Sequence, residues 1–137
     1  MPIDGGRRFT DGRPIFGAGK TLRGFVAGLI AGSIVGVLQG LVVGPPCTYA
    51  MLGLLLALGA LIGDLLGSFI KRRLNIPRGG AAPGLDQLGF VVFALLFASP
   101  LMLPRWEVIL TILLITPPIH LAMNFGSYKL GLKDRPY

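Results

Sequence analysis

Cysteine and histidine are each represented once, and six acidic side chains face thirteen basic ones in a chain of 137 residues. The lone Cys47 excludes an internal disulfide. With one histidine and one cysteine, neither a zinc cluster nor a Ser/His/Asp or Cys/His hydrolytic set can be assembled. Charge itself is scarce: 14% of residues, against about 25% in an ordinary soluble domain. Hydrophobic residues make up 53% and mean hydropathy is +0.72, so the deficit of charge points to lipid as the solvent. No signal peptide is read, because the first 20 residues are polar and glycine-rich, without an apolar core and small-residue cleavage site. The length allows one domain, 1–137.

What is abundant is glycine, and it is placed with a period. Four apolar runs are predicted as membrane spans at about 22–43, 49–70, 88–103 and 106–123, an all-α polytopic helical bundle. The last two are short, so tilt or local thinning is expected. In the first run Gly24, Gly28, Gly32, Gly36, Gly40 and Gly44 recur every fourth residue, making one bare helix stripe against which a second backbone can pack. The second run has its own series, Gly59, Gly63 and Gly67, and is expected to be the partner of that stripe. Met1 to Lys20 has no sustained period and reads as irregular, and Pro117-Pro118 predicts a break near the end of the fourth run.

The net charge of +7 is distributed as a topology signal rather than a nucleic-acid surface. Arg7, Arg8, Arg13, Lys20, Arg23, Lys71, Arg72, Arg73, Arg78, Lys129, Lys133 and Arg135 fall on one side, and Arg105 alone on the other. Segments 1–21, 71–87 and 124–137 are therefore expected in the cytoplasm, with Trp106 as an interfacial anchor opposite.

Candidate chemistry gathers around the central loop. Asp64 lies inside an apolar run, where a carboxylate costs roughly 2.5–3.5 kcal/mol and normally has a partner and a role. It stands seven residues before Lys71, about 10 Å of helix. Two readings stay open: an internal ion pair with an arginine of the N-terminal segment, or a metal ligand shared with Asp86. Mg²⁺ takes one or two carboxylates plus phosphate oxygens and water, which Asp64 and Asp86 together would provide. Lys71-Arg72-Arg73 is either a topology signal or a phosphate site. Gly17, Gly19, Lys20, Thr21 and Arg23 either form a helix entry or offer backbone N–H groups and cations to an anion. They do not make a P-loop, which would require glycine where Pro14 stands and a preceding strand. His120 and Asn124, four residues apart, read as structural.

These residues carry a resemblance. Gly63, Asp64, Ser68, Lys71, Arg72, Pro83, Gly84 and Asp86 are similar to the G-D-x-x-x-S-x-x-K-R and P-G…D signature of CDP-diacylglycerol synthases. Asp11 to Gly24, the G-D-x-x-x-S-F-x-K-R-R segment and His120 to Asp134 more closely resemble the archaeal CDP-archaeol synthase branch, over nearly the whole chain. Two departures stand out: the His-Gly-Gly of the wider family is replaced by Ala81-Ala82-Pro83-Gly84, and its second acid is absent from Asp86-Gln87-Leu88-Gly89. The branch usually begins with a further apolar helix, so an additional N-terminal span is left open.

The resemblance implies a membrane cytidylyltransferase. It would transfer CMP from CTP to an isoprenoid glycerophosphate lipid, 2,3-di-O-geranylgeranyl-sn-glycero-1-phosphate, giving CDP-archaeol and pyrophosphate with Mg²⁺. Asp64 and Asp86 are then expected to hold the metal, Lys20, Arg23, Lys71 and Arg72 to neutralise phosphate, and Ser68 to bind a phosphate or orient Asp64. The competing reading is a transporter or channel fragment with Asp64 in an ion pathway. Against it, no internal repeat is visible and the polar groups crowd one side. Oligomeric state, a homo-oligomer included, is left open.

Overall fold

In the computed structural model, residues 1–77, 80, 82 and 84–131 are described; Arg78, Gly79, Ala81, Pro83 and the tail with Lys133, Asp134 and Arg135 lie outside them. Four helices follow in order: α1 Leu22–Val43, α2 Pro46–Arg73, α3 Leu85–Ala98 and α4 Trp106–Lys129. Three of them, α1, α2 and α4, are long and apolar enough to cross a membrane; α3, with 14 residues, is shorter. At 1.5 Å per residue α2 is about 42 Å long against a hydrocarbon core of about 30 Å. Its surplus turns carry Lys71, Arg72 and Arg73, which are helical rather than part of a loop.

Each boundary has a local cause. Thr21 caps α1 with its hydroxyl, which accepts the Gly24 N–H at 3.2 Å. Pro45-Pro46 ends one helix and starts the next, Pro46 occupying the first turn, where its missing N–H costs nothing. At the end of α2, Asn75 takes φ 60°, the Ile76 N–H bonds the Lys71 carbonyl at 2.9 Å, and the Asn75 N–H bonds that of Arg72 at 3.3 Å. This is a Schellman motif with asparagine in the left-handed position. The expected break at Pro117-Pro118 does not occur, and α4 runs through both prolines to Lys129. Proline inside a membrane helix is tolerated where neighbouring groups and local adjustment re-satisfy the freed carbonyls. Ser33, Thr111 and Thr116 turn their hydroxyls back onto carbonyls four residues earlier, at 2.7–2.9 Å, so these polar groups face lipid already satisfied.

Packing uses backbone rather than bulk. A Cβ on Gly32 or Gly36 of α1 would collide with Ala57 and with the Tyr49 carbonyl, and one on Gly53 with the Gly32 carbonyl. The face of α2 that meets α1 is therefore Tyr49, Gly53, Ala57 and Leu61. Gly59 and Gly63 instead abut Phe93, Ala94, Gly89 and Phe90 of α3, with Leu85 nearest Gly67. The expected pairing of the two glycine series is thus overturned. Residues 57 and 59 differ by about 200° around a helix, so the two sets lie on opposite faces and α2 is clasped from both sides. The large side chains point outward: Ile30, Ile34, Leu38, Val92, Leu96 and Leu114 are exposed, while few apolar residues are buried. α4 buries none and touches the bundle chiefly through α3.

Gly59→Val is expected to lower the thermal stability of detergent-solubilised protein by about 1–3 kcal/mol, an overpacking cost. Gly126→Ala, where an added Cβ meets nothing within 4 Å, should leave it unchanged. Fluorescence-detected size exclusion after a heat ramp measures both.

Candidate functional site

The segment before α1 is neither helix nor strand, yet it is ordered. Its ends are joined by Ile3 N–H to Lys20 O at 2.8 Å and Leu22 N–H to Met1 O at 3.1 Å. An inner turn is closed by Phe9 N–H to Arg13 O at 2.8 Å and Ile15 N–H to Arg7 O at 3.3 Å. Asp4 is its centre: buried, it accepts the N–H groups of Gly6 at 2.9 Å and of Phe16 and Gly17 at 3.0 Å each. Burial pushes the Asp4 carboxyl up, but the backbone N–H donors together outweigh it and hold it below its ordinary value. Gly17 has φ 93°, a conformation that favours glycine. Its N–H is spent on Asp4.

This segment is fastened over the end of α2 by two arginines. Arg73 lies against the rings of both Phe9 and Phe69, 5.0 and 4.9 Å from their centroids, while the rings meet edge to face at 5.4 Å. It also pairs with Asp11 at 2.5 Å and donates to the Pro14 carbonyl at 2.6 Å. Arg13 answers by donating to the Arg72 and Arg73 carbonyls at 3.3 and 2.5 Å, covering the negative end of the α2 dipole. Arg73 is consequently a fastener, and of the basic triplet only Lys71 and Arg72 face the space beneath.

That space is a cavity of about 380 Å³. Pro14, Phe16, Gly17, Ala18, Gly19 and Lys20 form one side, and Ser68, Lys71 and Arg72 of α2 the other. Among the described residues three cations and no carboxylate line it. Arg72 gives one nitrogen to the Ile76 carbonyl at 2.7 Å, while its Nε is buried without a partner among the described residues. Ser68 is buried in the wall and makes no hydrogen bond to Asp64 among the described residues. A second cavity of about 200 Å³ adjoins it, lined by Gly19, Lys20, Thr21, Asp64 and apolar residues of α1 and α2. Arg23, exposed on the first turn of α1, lines neither.

Both acids sit on lysines. Lys20 donates to Asp64 Oδ2, so the internal ion pair exists, but with a lysine and not an arginine. Lys71 pairs with Asp86 Oδ1 at 2.7 Å, and Asp86 Oδ2 accepts the Ala82 N–H at 3.0 Å. Asp86 is in the first turn of α3 because that helix starts at Leu85, before the expected 88. Asp64 opens on the smaller cavity and Asp86 on neither; what links them is that both their lysines line the larger one. Among the described residues no three His, Cys, Asp or Glu gather as a metal cluster. A cation taking one or two carboxylates with phosphate oxygens still fits Asp64, whose side chain is 50% exposed with Oδ1 unengaged. Asp86 fits only by exchanging Lys71 for the ion. On α4, Asn124 Nδ2 and His120 Nδ1 are 3.4 Å apart and the His120 ring lies 6.4 Å from that of Phe90, a structural contact between helices.

Sequence reasoning missed Asp4 as an organiser and Asp11 as an anchor. The available signal was a carboxylate in a Pro-Ile-Asp-Gly-Gly turn, a residue pattern that accepts local backbone N–H groups.

Comparison with known proteins finds relatives over nearly the whole chain. The CarS-like family model, CDP-archaeol synthase, matches residues 1–137. The CDP-archaeol synthase of Thermococcus gammatolerans is 50% identical over 140 residues, covering 99% of this chain and 82% of its own. That of Pyrococcus horikoshii is 51% identical over 143 residues, with the same coverage. A solved intramembrane enzyme for archaeal membrane lipid biosynthesis superposes with TM-score 0.83 at 43% identity, over 90% of this chain and 78% of its own.

Asp4→Asn is expected to lower thermal stability at neutral pH. Because the folded carboxyl titrates below the ordinary 3.8, the margin over the variant is full above that value and shrinks as pH falls below it. Melting curves of both proteins from pH 7 to pH 3 measure it.

Proposed function

This chain belongs to the CDP-archaeol synthase family, and from that premise we propose that its larger cavity receives the triphosphate of CTP. The reaction is cytidylyl transfer forming CDP-archaeol in archaeal lipid biosynthesis. The observation that carries the site assignment is the wall of the larger cavity: Lys20, Lys71 and Arg72 converge there, with no acid among the described lining residues.

The chemistry asks for charge control more than for a base. A phosphate oxygen of the isoprenoid glycerophosphate attacks the α-phosphorus of CTP. A new P–O bond forms, the bond to the β-phosphate breaks, and pyrophosphate leaves with the electron pair. The nucleophile is already an anion, so bringing two polyanions together and aligning them accounts for most of the barrier. Lys20 and Lys71 neutralise phosphate oxygens from opposite walls, and Arg72 offers its unpartnered Nε–H. Ser68 and the Ala18 and Gly19 N–H groups add neutral hydrogen bonds, while Gly17 shapes the loop and Thr21 fixes the start of α1. Arg23 stands outside and attracts anions at longer range.

Asp64, with Asp86 as second ligand, would hold Mg²⁺, which when bound supplies neutralisation of the nucleotide phosphates. Before substrate arrives, the two lysines occupy these carboxylates, so each ammonium is kept close to the cavity. CTP binding then draws the ammonium groups toward phosphate and frees carboxylate oxygens. The clustering of basic residues at this end supports a multi-pass protein of the cell membrane with the site open to the cytoplasm.

Asp64→Asn should reduce incorporation of labelled CTP into lipid by at least about a hundredfold while membrane insertion persists. Lys71→Ala should raise the KM for CTP. Unchanged turnover in the first variant would remove Asp64 from the site, and a chelator titration of the wild type tests the metal.

A further inference from the structure

We propose that the smaller cavity seats the phosphate head of the lipid substrate, so that lipid and nucleotide meet from opposite sides of Lys20. The proposal rests on the nucleotide reading of the larger cavity and assigns the second substrate.

Size makes the first distinction. Sites that enclose a whole small ligand measure about 300–1,000 Å³. The larger cavity, about 380 Å³, falls in that range; the smaller, about 200 Å³, does not and admits a head group only. Wall chemistry makes the second. One end holds Lys20 with Thr21 and Asp64, and the other is apolar, formed by Phe25, Leu61 and Leu65. A ligand that is anionic at one end and hydrocarbon at the other matches both halves, whereas a nucleotide matches only the first.

Depth makes the third. Leu61 and Leu65 precede Lys71 by ten and six residues, about 15 and 9 Å along α2 from its basic end. That puts the apolar wall of the cavity inside the apolar stretch of α2, where lipid chains run. Exposed Leu22, Val26 and Leu66 continue the apolar surface on the same two helices. Chains leaving the cavity can therefore lie along the outside of α1 and α2 without crossing a polar barrier. The larger cavity takes no α1 residue among the described ones and is built from the N-terminal segment and the basic end of α2.

Among the described residues Gly19 and Lys20 alone line both cavities. The Lys20 ammonium can thus contact the attacking phosphate and the nucleotide together, and the Gly19 N–H lies at the same boundary. The partition also gives Asp64 a reason to face the lipid side: a carboxylate there holds the Lys20 ammonium in place until an anion competes for it.

The test is a crossed pair of substitutions in the full-length, detergent-solubilised chain, with a dialkylglycerol phosphate in mixed micelles as the lipid probe. Leu65→Phe narrows only the smaller cavity. It should raise the KM for the lipid phosphate about tenfold and leave equilibrium CTP binding within about twofold of wild type. Ala18→Leu narrows only the larger cavity and should weaken CTP binding while sparing the lipid KM. Phe25→Ala, which widens the smaller cavity, should likewise alter the lipid KM alone, and serves if Leu65→Phe does not fold. An unchanged lipid KM in both small-cavity variants, or weakened CTP binding in either, overturns the lipid assignment. Unaltered CTP binding in Ala18→Leu overturns the nucleotide reading itself, so the two failures are distinguishable.

Discussion

The arrangement depends on one carboxylate that cannot remain alone where the chain puts it. Asp64 lies within a helix otherwise fit for hydrocarbon, and its charge is met by Lys20, forty-four residues earlier in sequence. Meeting it requires the segment before α1 to fold back over the end of α2. The same demand brings Gly17, Ala18 and Gly19 across from Ser68 and Lys71. The contacts of Arg73 with Phe9 and Phe69 and the Arg13 bonds to the last carbonyls of α2 then fix that segment from its far side. An ion pair that satisfies a membrane helix is in this way also the wall between two cavities.

Rigid support comes from α2, which is held on both faces at backbone distance. Glycine in a helix costs about 1 kcal/mol relative to alanine in water. Between membrane helices, where apolar side chains gain nothing over lipid, close approach is what glycine returns. Gly53 admits α1, and Gly59 and Gly63 admit α3, so the helix bearing Asp64, Ser68, Lys71 and Arg72 has little freedom to rotate. Asp86 is delivered by the second of these contacts, since α3 begins beside Gly67 and turns its first carboxylate to Lys71. The Lys71–Asp86 pair, 15% and 25% exposed, is more enclosed than Lys20–Asp64 at 29% and 50%. The less enclosed pair stands where the two cavities adjoin, and is the one an incoming anion can most readily compete for.

Much of this was legible in the order of residues. Sustained apolar runs gave the helices, and Thr21, Pro45-Pro46 and the basic end of α2 marked their limits. The family pattern around Asp64 and Asp11–Gly24 pointed to the chemistry. Reading failed where the answer depends on direction around a helix axis. Two glycine series look alike on paper, yet Gly59 and Gly63 face away from the residues that meet α1. The N-terminal segment is irregular, as its lack of a period implies, but what holds it was not legible. Single backbone N–H groups converging on Asp4 leave no repeating trace in sequence.

The sequence by itself determined that this is a helical membrane protein with cations at one end, because hydropathy, helix length and the cost of isolated charge are local properties of consecutive residues. It also determined which side chains have enough charge to handle phosphate. Only the tertiary structure decided which lysine neutralises which acid, that Arg73 is a fastener and Arg72 is not, and that Lys20 borders two hollows rather than one. Those outcomes depend on contacts between residues far apart in the chain, whose geometry is fixed by how closely three backbones can approach.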